Sequence, residues 1–264
     1  MDYFRVTEPL PGVYRICGEE INFCTLVCGT SAALLFDTGM GIGDIRRTTE
    51  ELTELPLTVV CSHEHFDHTG GNSAFDEVWM SQTSIRSLSQ APLREIRRRA
   101  LAAQKTLPAG LEPEEYLGRD CGTLRVLAPE RVFELGGRTL RVVPLPSHTA
   151  GSVGLFCPEL GLLLSADSIA PMLSLIWPDS AAPEACLQML ERVEAMDFMQ
   201  ILCSHSAEPI TRKELRCCKA AFRALRELPS YPYKEPFYPD MQGRLCFYNG
   251  EEGAAALICR EDML

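Results

Sequence analysis

The sequence predicts an α/β sandwich rather than a doubly wound parallel sheet. Short apolar, strand-like runs follow one another in meanders, and helical stretches fall between groups of them, where outer layers belong. In addition, five of the apolar runs stop abruptly at a His or Asp, as expected where loops leave one edge of a rigid sheet.

In chain order, strands are expected near Gly12–Ile16, Phe23–Cys28 and Ala32–Phe36. A helix follows the flexible Gly39-Met40-Gly41 and covers Ile42–Leu55. The β-branched run Leu57-Thr58-Val59-Val60-Cys61 then reads as a buried strand. From Ser81 to about Leu117 the pattern is helical, punctuated by Pro92 and Pro108. Strands resume at Arg131–Leu135, Thr139–Val143, Val153–Cys157 and Leu162–Ser165. Helix is expected over Pro183–Met196, strand over Met199–Cys203, and helix over Thr211–Leu228. The Pro- and Tyr-rich piece Pro229–Pro239 reads as irregular, with closing strands near Arg244–Tyr248 and Ala254–Cys259. No linker or repeat interrupts this order, so one domain over 1–264 is expected. It would carry a helical insertion at about 81–120 and a helix/strand extension at about 211–264.

Composition narrows the function. The hydrophobic fraction is 46% and the charged fraction 23%, ordinary values for a globular protein. No apolar run approaches the ~18 residues that cross a bilayer, and Met1-Asp2-Tyr3-Phe4-Arg5 lacks a secretory pattern, so a cytoplasmic, membrane-free protein is expected. A net charge of -11 argues against a nucleic-acid partner. The basic cluster Arg94, Arg97, Arg98, Arg99 and Lys105 reads as a solvated helix face that could receive an anionic substrate. None of the twelve cysteines forms a C-x-x-C pair, and several lie inside apolar runs, so reduced, buried thiols are expected.

The strand ends carry the chemistry. Ala33–Phe36 ends in Asp37, and Leu57–Cys61 leads into His63, His65, Asp67 and His68. Leu140–Leu145 leads to His148, Leu162–Ala166 ends in Asp167, and Ile201–Ser204 ends in His205. All five histidines of the chain sit at these junctions. A lone His after a strand is ordinarily a hydrogen-bonded loop residue. The run His63-Glu64-His65-Phe66-Asp67-His68 is different, because so many ligand-type side chains in one pocket would cost stability without a partner. Imidazole and carboxylate donors without thiolate suit Zn, Fe or Mn. Two His at i and i+2 can turn toward one ion, and the following Asp and His toward a second.

These residues resemble the metallo-β-lactamase fold superfamily. The resemblance rests on His63-x-His65-x-Asp67-His68, on His148 within Ser147-His148-Thr149-Ala150-Gly151-Ser152, and on Asp167, His205 and the upstream Phe36-Asp37-Thr38-Gly39. It covers residues from about 12 to 205, in the family's order. It implies a four-layer αββα sandwich of two mixed sheets flanked by helices, with two divalent ions, zinc foremost and iron or manganese as alternatives. His63, His65 and His148 would hold the first ion, Asp67, His68 and His205 the second, and Asp167 would bridge them. Asp37 would orient the ligand loop by hydrogen bonds. The β-lactamases proper carry a Cys where Asp167 stands, so antibiotic hydrolysis is disfavoured. Flavodiiron oxygen reductases carry a Glu at the place of His65, and the RNA-cleaving branches need further domains or basic arms.

What remains resembles glyoxalase II-like thioesterases and lactonases. The implied function is a metal-dependent hydrolase that turns a metal-bridging hydroxide on an ester, thioester or lactone. Asp67 would act both as ligand and as the residue that orients the nucleophile or shuttles its proton. The alternative is a mononuclear-iron sulfur dioxygenase of the same superfamily. The expected partner is a small-molecule substrate, and a homodimer is compatible with the chain. The loop Ile169–Trp177 and the helical insertion would shape the pocket, with Tyr116, Arg119, Met172 and Trp177 as candidate lining residues.

Overall fold

A computed structural model describes residues 3–19, 21–236, 238, 240–251 and 253–264, and among these the chain builds three β-sheets. Two compact units divide it, Met1–Arg141 and Val142–Leu264.

In the first unit, β1 (Arg5–Leu10), β2 (Val13–Cys17), β3 (Phe23–Cys28), β4 (Ala33–Phe36), β5 (Leu57–Val60), β6 (Val78–Met80) and β7 (Leu124–Val126) lie side by side in sequence order. The strands β1 to β4 pair antiparallel and β4 to β7 pair parallel. The change follows from the connections, since parallel neighbours need a crossover. Helix α1 (Ile45–Leu52) links β4 to β5, and α2 (Phe66–Thr69) lies between β5 and β6. Three helices, α3 (Gln82–Leu88), α4 (Leu93–Ala103) and α5 (Pro113–Gly118), lie between β6 and β7. All four residues of β4 are buried, as expected of a strand covered on both faces. Leu26, Leu35, Ile45, Val59, Val78 and Met80 form the centre of this unit's core.

Helix α1 begins three residues later than the sequence implies. The Asp44 side chain accepts the Arg47 N–H and caps it there. Ahead of the cap, Gly41 has φ +71°, and a Cβ on it would lie 2.3 Å from the Gly70 carbonyl oxygen. Only glycine allows that approach. The predicted helical stretch at 81–117 breaks near Pro92 and again before Pro113, where a new helix starts with proline in its first turn. Within it, Arg94, Arg98 and Arg99 pair with Glu114 and Glu95. Arg97 departs from the expected solvated face and is only 1% exposed. It falls at helical spacing with Leu93, Ile96 and Ala100, on the stripe that faces inward.

The hairpin β8 (Val132–Glu134) and β9 (Thr139–Pro144) carries the chain onward, and the boundary between the units falls inside β9. Beyond it come β10 (Val153–Cys157), β11 (Leu162–Ala166), β12 (Met172–Leu175), α6 (Pro183–Glu194) and β13 (Gln200–Cys203). Their sheet has the order β13-β11-β10-β9-β8. The third sheet adds β14 (Ser230–Lys234), β15 (Gln242–Gly250) and β16 (Gly253–Cys259) to β12, in the order β12-β16-β15-β14. Helix α7 (Arg212–Ala224) starts at a capping box of Thr211 and Glu214 and packs on β15, β16 and α6. Leu215, Ala221, Phe222, Cys246, Leu257 and Cys259 belong to the core it closes.

The stretch at 229–239, read as irregular, contains β14, while Phe237 and Pro239 lie outside the described residues. The strand forms despite Pro232 because it is the edge of its sheet, where a missing N–H costs no ladder bond. Strands β1, β6, β7 and β12 also escaped the sequence reading. Two of them have only three residues, too few to show a period. No helix among the described residues is long and apolar enough to cross a membrane.

Candidate metal centre

Each predicted ligand sits just past the end of a strand. In the first unit, β5 ends at Val60, and the chain passes through Cys61 and Ser62 into the His run, whose second half is α2. His63 and His68 are fully buried. The His63 Nε2 and His65 Nδ1 atoms lie 3.0 Å apart, and the His63 and His68 ring centroids 4.1 Å apart. Asp67 Oδ2 lies 3.4 Å from His68 Nε2, and the Asp67 side chain is 26% exposed.

Asp37 organises this cluster from below. Its carboxylate is fully buried and accepts the Ser62 backbone N–H at 2.7 Å and the Ser62 hydroxyl at 3.0 Å. It also accepts His68 Nδ1–H at 2.8 Å, because a carboxylate can only accept. That bond puts the His68 proton on Nδ1 and leaves the Nε2 lone pair facing Asp67. Ser62 passes the same instruction to His63. Its hydroxyl proton is committed to Asp37, so its oxygen accepts His63 Nδ1–H at 2.9 Å and frees the His63 Nε2 lone pair. Ser62, which links Asp37 to His63, is not among the residues expected from the sequence. Its position between the strand and the His run was the available signal.

The backbone of α2 is held from three directions. Thr38 donates its N–H and its hydroxyl to the His68 carbonyl, at 2.9 and 3.1 Å. The Asn22 side-chain amide donates to the Asp67 carbonyl. Arg97 donates to the Gly70 carbonyl at 3.1 Å and to the Asp120 carbonyl at 3.1 Å. Its guanidinium lies 5.0 Å from the Phe66 ring and 5.0 Å from the Tyr116 ring. Burial lowers the Arg97 pKa from its ordinary value, with the nearby Tyr116 opposing the shift. The inward place of Arg97 was legible in its spacing with Leu93, Ile96 and Ala100. Tyr116, a candidate lining residue, is fully buried and donates to the Met40 carbonyl at 2.9 Å, and Arg119 donates to the Gly41 carbonyl at 3.0 Å. Both brace the glycine loop.

The second unit holds the other three predicted ligands. Asp167 follows β11, and its Oδ2 lies 3.6 Å from His148 Nε2 and 3.2 Å from His205 Nε2. One carboxylate oxygen therefore faces two imidazoles. His148 Nδ1 donates to the Ser174 carbonyl at 2.6 Å, so its Nε2 also presents a lone pair. Ser147 Oγ donates to the Ser168 carbonyl at 3.0 Å, and Ser180 Oγ to the His148 carbonyl at 2.7 Å, which fix the His148 loop. The Ser204 N–H reaches the Ala166 carbonyl at 3.2 Å and ties the residue before His205 to the residue before Asp167. Trp177 lies edge-on to His148 with centroids 6.1 Å apart.

The donors are imidazole nitrogens and carboxylate oxygens, with no thiolate among the predicted ligands, and the tautomers of His63, His68 and His148 are set by partners on their far nitrogens. Such a donor set fits zinc, iron or manganese.

A family model described as the metallo-β-lactamase superfamily matches residues 17–205. The chain belongs to this superfamily. That agrees with the mixed α/β fold expected from the sequence. Acyl-coenzyme A thioesterase MBLAC2 of Homo sapiens is 25% identical over 234 residues, which cover 78% of this chain and 84% of that protein. The enzyme of the same name from Gallus gallus is 27% identical over 195 residues, covering 68% and 70%. Among solved structures, a metallo-β-lactamase family protein from Thermus thermophilus has a TM-score of 0.60 at 22% identity, covering 83% of this chain and 81% of that one. A metallo-β-lactamase from Pontibacter korlensis has a TM-score of 0.59 at 19% identity, covering 83% and 99%. The structural likenesses speak to the fold. The hydrolase expected from the sequence, with thioesters among its substrates, agrees with the activity named for the thioesterase relatives.

Proposed function

We propose that this chain is a metal-dependent thioester hydrolase whose substrate is an acyl-coenzyme A or a closely similar acyl thioester. The observation that carries the proposal is the Asp167 carboxylate oxygen, which lies 3.6 Å from His148 Nε2 and 3.2 Å from His205 Nε2 and so would be available to both ions if two were bound. The names of the thioesterase relatives supply the substrate class.

In this reading His63, His65 and His148 would hold one ion, Asp67, His68 and His205 a second, and Asp167 would reach both. Zinc is the first choice. Divalent ions held there supply a Lewis acid and make water acidic enough to attack near neutral pH. The chain's own residues do the rest. Asp37 and Ser62 keep the Nε2 lone pairs of His63 and His68 available. Asp67, with a quarter of its side chain accessible, takes the proton of the attacking water. Water oxygen adds to the thioester carbonyl carbon, the C–S bond breaks, and the products are a carboxylic acid and a thiol. The twelve free cysteines, with no disulfide among them, support a reducing compartment such as the cytoplasm.

The test is a panel of acyl-coenzyme A thioesters, esters, lactones and phosphodiesters, read by thiol or acid release alongside elemental analysis. We expect thioester cleavage that needs two metals per chain. Asp67→Ala should lose at least ~100-fold in turnover with an unchanged circular dichroism spectrum. Full activity after metal stripping would sink the proposal. A single iron per chain, with oxygen consumed on a persulfide, would replace it with the dioxygenase.

A further inference from the structure

We infer that the exposed apolar face of the third sheet is the bed on which the acyl chain of the thioester lies, so that the enzyme favours long acyl groups. The inference rests on the thioesterase reading and adds to it a place and a selectivity.

The third sheet has two unlike faces. One packs through Cys246, Ala255, Leu257 and Cys259 into the core beneath α7. The other carries the alternate residues, and the strand registers align them in rows. Met172, Ala256 and Phe247 form one row across β12, β16 and β15. Ser174, Ile258, Leu245 and Tyr231 form the next, across all four strands. Neither row contains a charged residue. Met172 is 54% exposed, Phe247 49% and Tyr231 54%, and the Tyr231 and Phe247 rings meet edge-on with centroids 6.0 Å apart. Single exposed apolar side chains are commonplace, but several sharing one sheet face form a patch that ordinarily has an occupant.

The patch is continuous with one proposed ligand, His148. At its inner end Ile176, Trp177 and Ile258 cluster with Tyr233, Tyr238 and Leu245. Trp177 lies edge-on both to Tyr238, at 5.0 Å, and to His148, at 6.1 Å. Strand β12 forms the sheet edge, and its Ser174 carbonyl holds the His148 ring. The row through Ile258 is closed at that point, where Ile258 is 1% exposed and packs with Ile176 and Trp177. The open floor therefore follows Met172, Ala256 and Phe247 and ends at Tyr231, beginning two residues from the carbonyl that holds His148.

An alkyl chain suits this surface, which is apolar and without charge. A second copy adding its own strand to the far edge is disfavoured, because Pro232 in β14 removes an N–H from that edge. A thioester whose carbonyl reacts beside His148 can lay its acyl chain on the rows and leave its polar end elsewhere.

The test combines Met172→Ser and Phe247→Ser, both at exposed positions. For the wild type, kcat/KM on acyl-coenzyme A should rise with acyl length. In the double variant the ratio of long-chain to short-chain kcat/KM should fall about tenfold, chiefly through the long-chain KM. An unchanged ratio overturns the inference, as does a variant that changes sedimentation from dimer to monomer while keeping the length profile. Binding of a long-chain fatty acid, followed by Trp177 fluorescence in a Trp79→Phe background, separates the two levels of the argument. Tight binding lost in the double variant, without turnover of any thioester, keeps the bed and removes the proposed reaction. Turnover without any preference for length keeps the reaction and removes the bed.

Discussion

Replacing Asp37 by Asn tests the logic of the site more sharply than removing a ligand. Asp37 has φ +67°, a left-handed conformation that Asn also tolerates, so the backbone stays put. The substitution exchanges one acceptor oxygen for an NH2 donor. If the amide nitrogen takes the place of Oδ2, it meets the Ser62 hydroxyl and His68 Nδ1, which now lie 3.0 and 2.8 Å from the carboxylate. Both must then accept. His68 moves its proton to Nε2, and Ser62 turns its hydroxyl to His63 Nδ1, which moves that ring's proton to Nε2 as well. Two imidazoles lose the lone pairs that a metal needs.

The size of the effect follows. Hydrogen bonds to a charged group contribute about 1.5–3 kcal/mol and neutral ones about 0.5–1.5, so weakening two of them costs about 1–3 kcal/mol of stability. Loss of an orienting partner on a ligand typically costs 10–100-fold in metal affinity, about 1.4–2.8 kcal/mol. Chelator competition reads the affinity, urea unfolding the stability, and histidine nitrogen NMR the tautomer in metal-free protein. Unchanged affinity together with a His68 still protonated at Nδ1 would refute the reasoning.

Three further outcomes are expected. Arg97→Met leaves the Gly70 and Asp120 carbonyls without their donor, so urea unfolding should show a loss of about 2–3 kcal/mol, and a loss under about 0.5 would contradict the bracing role. Removing the metals should lower Tm by on the order of 10 °C and abolish turnover, with both restored by added zinc, since an ion that binds only the folded chain stabilises it. Burial pushes the thiols of Cys186, Cys218 and Cys259 up to about 12, so thiolate forms only near that pH. Mass spectrometry after alkylation of the folded protein at about pH 8 should find these three unmodified and label at the partly exposed Cys28 or Cys121.

The places of the candidate ligands at strand ends were readable because each follows an apolar run long enough to announce a strand, and because every histidine of the chain falls at such an end. What escaped was whatever depends on neighbours distant in sequence. Arg97 is the exception, since its spacing with Ile96 and Ala100, both buried with it, marked an inward place that grouping it with Arg94, Arg98 and Arg99 passed over. Strand β14 was hidden by Pro232, which is tolerable only at an edge, and a sequence does not say which strand will be the edge. Trp177 could be suspected as a lining residue, but its approach to His148 depends on the Ser174 carbonyl, and backbone acceptors leave no mark in a sequence.

The backbone at the ends of two strands explains why the carboxylates point where they do. Asp37 sits at φ +67° and Ala166, next to Asp167, at φ +47°. Each such residue costs about 1–2 kcal/mol outside glycine, so each must be held there. Asp37 is held by its three accepted bonds and by its own N–H, which reaches the Val60 carbonyl at 2.8 Å. Ala166 lies where the pairing of β11 with β13 shifts register between Leu164 and Ala166, and its carbonyl accepts the Ser204 N–H. A shift of one residue in a pleated strand reverses which face the next side chain takes. The irregularity at Ala166 therefore decides that Asp167 leaves the strand toward His148 and His205 instead of into the core packed around Leu163. Ala166→Gly should relieve the strain and stabilise the fold slightly. It should also loosen the one peptide that aims Asp167, so metal affinity should fall as stability rises. A variant in which the two move together would show that the left-handed turn serves the fold alone.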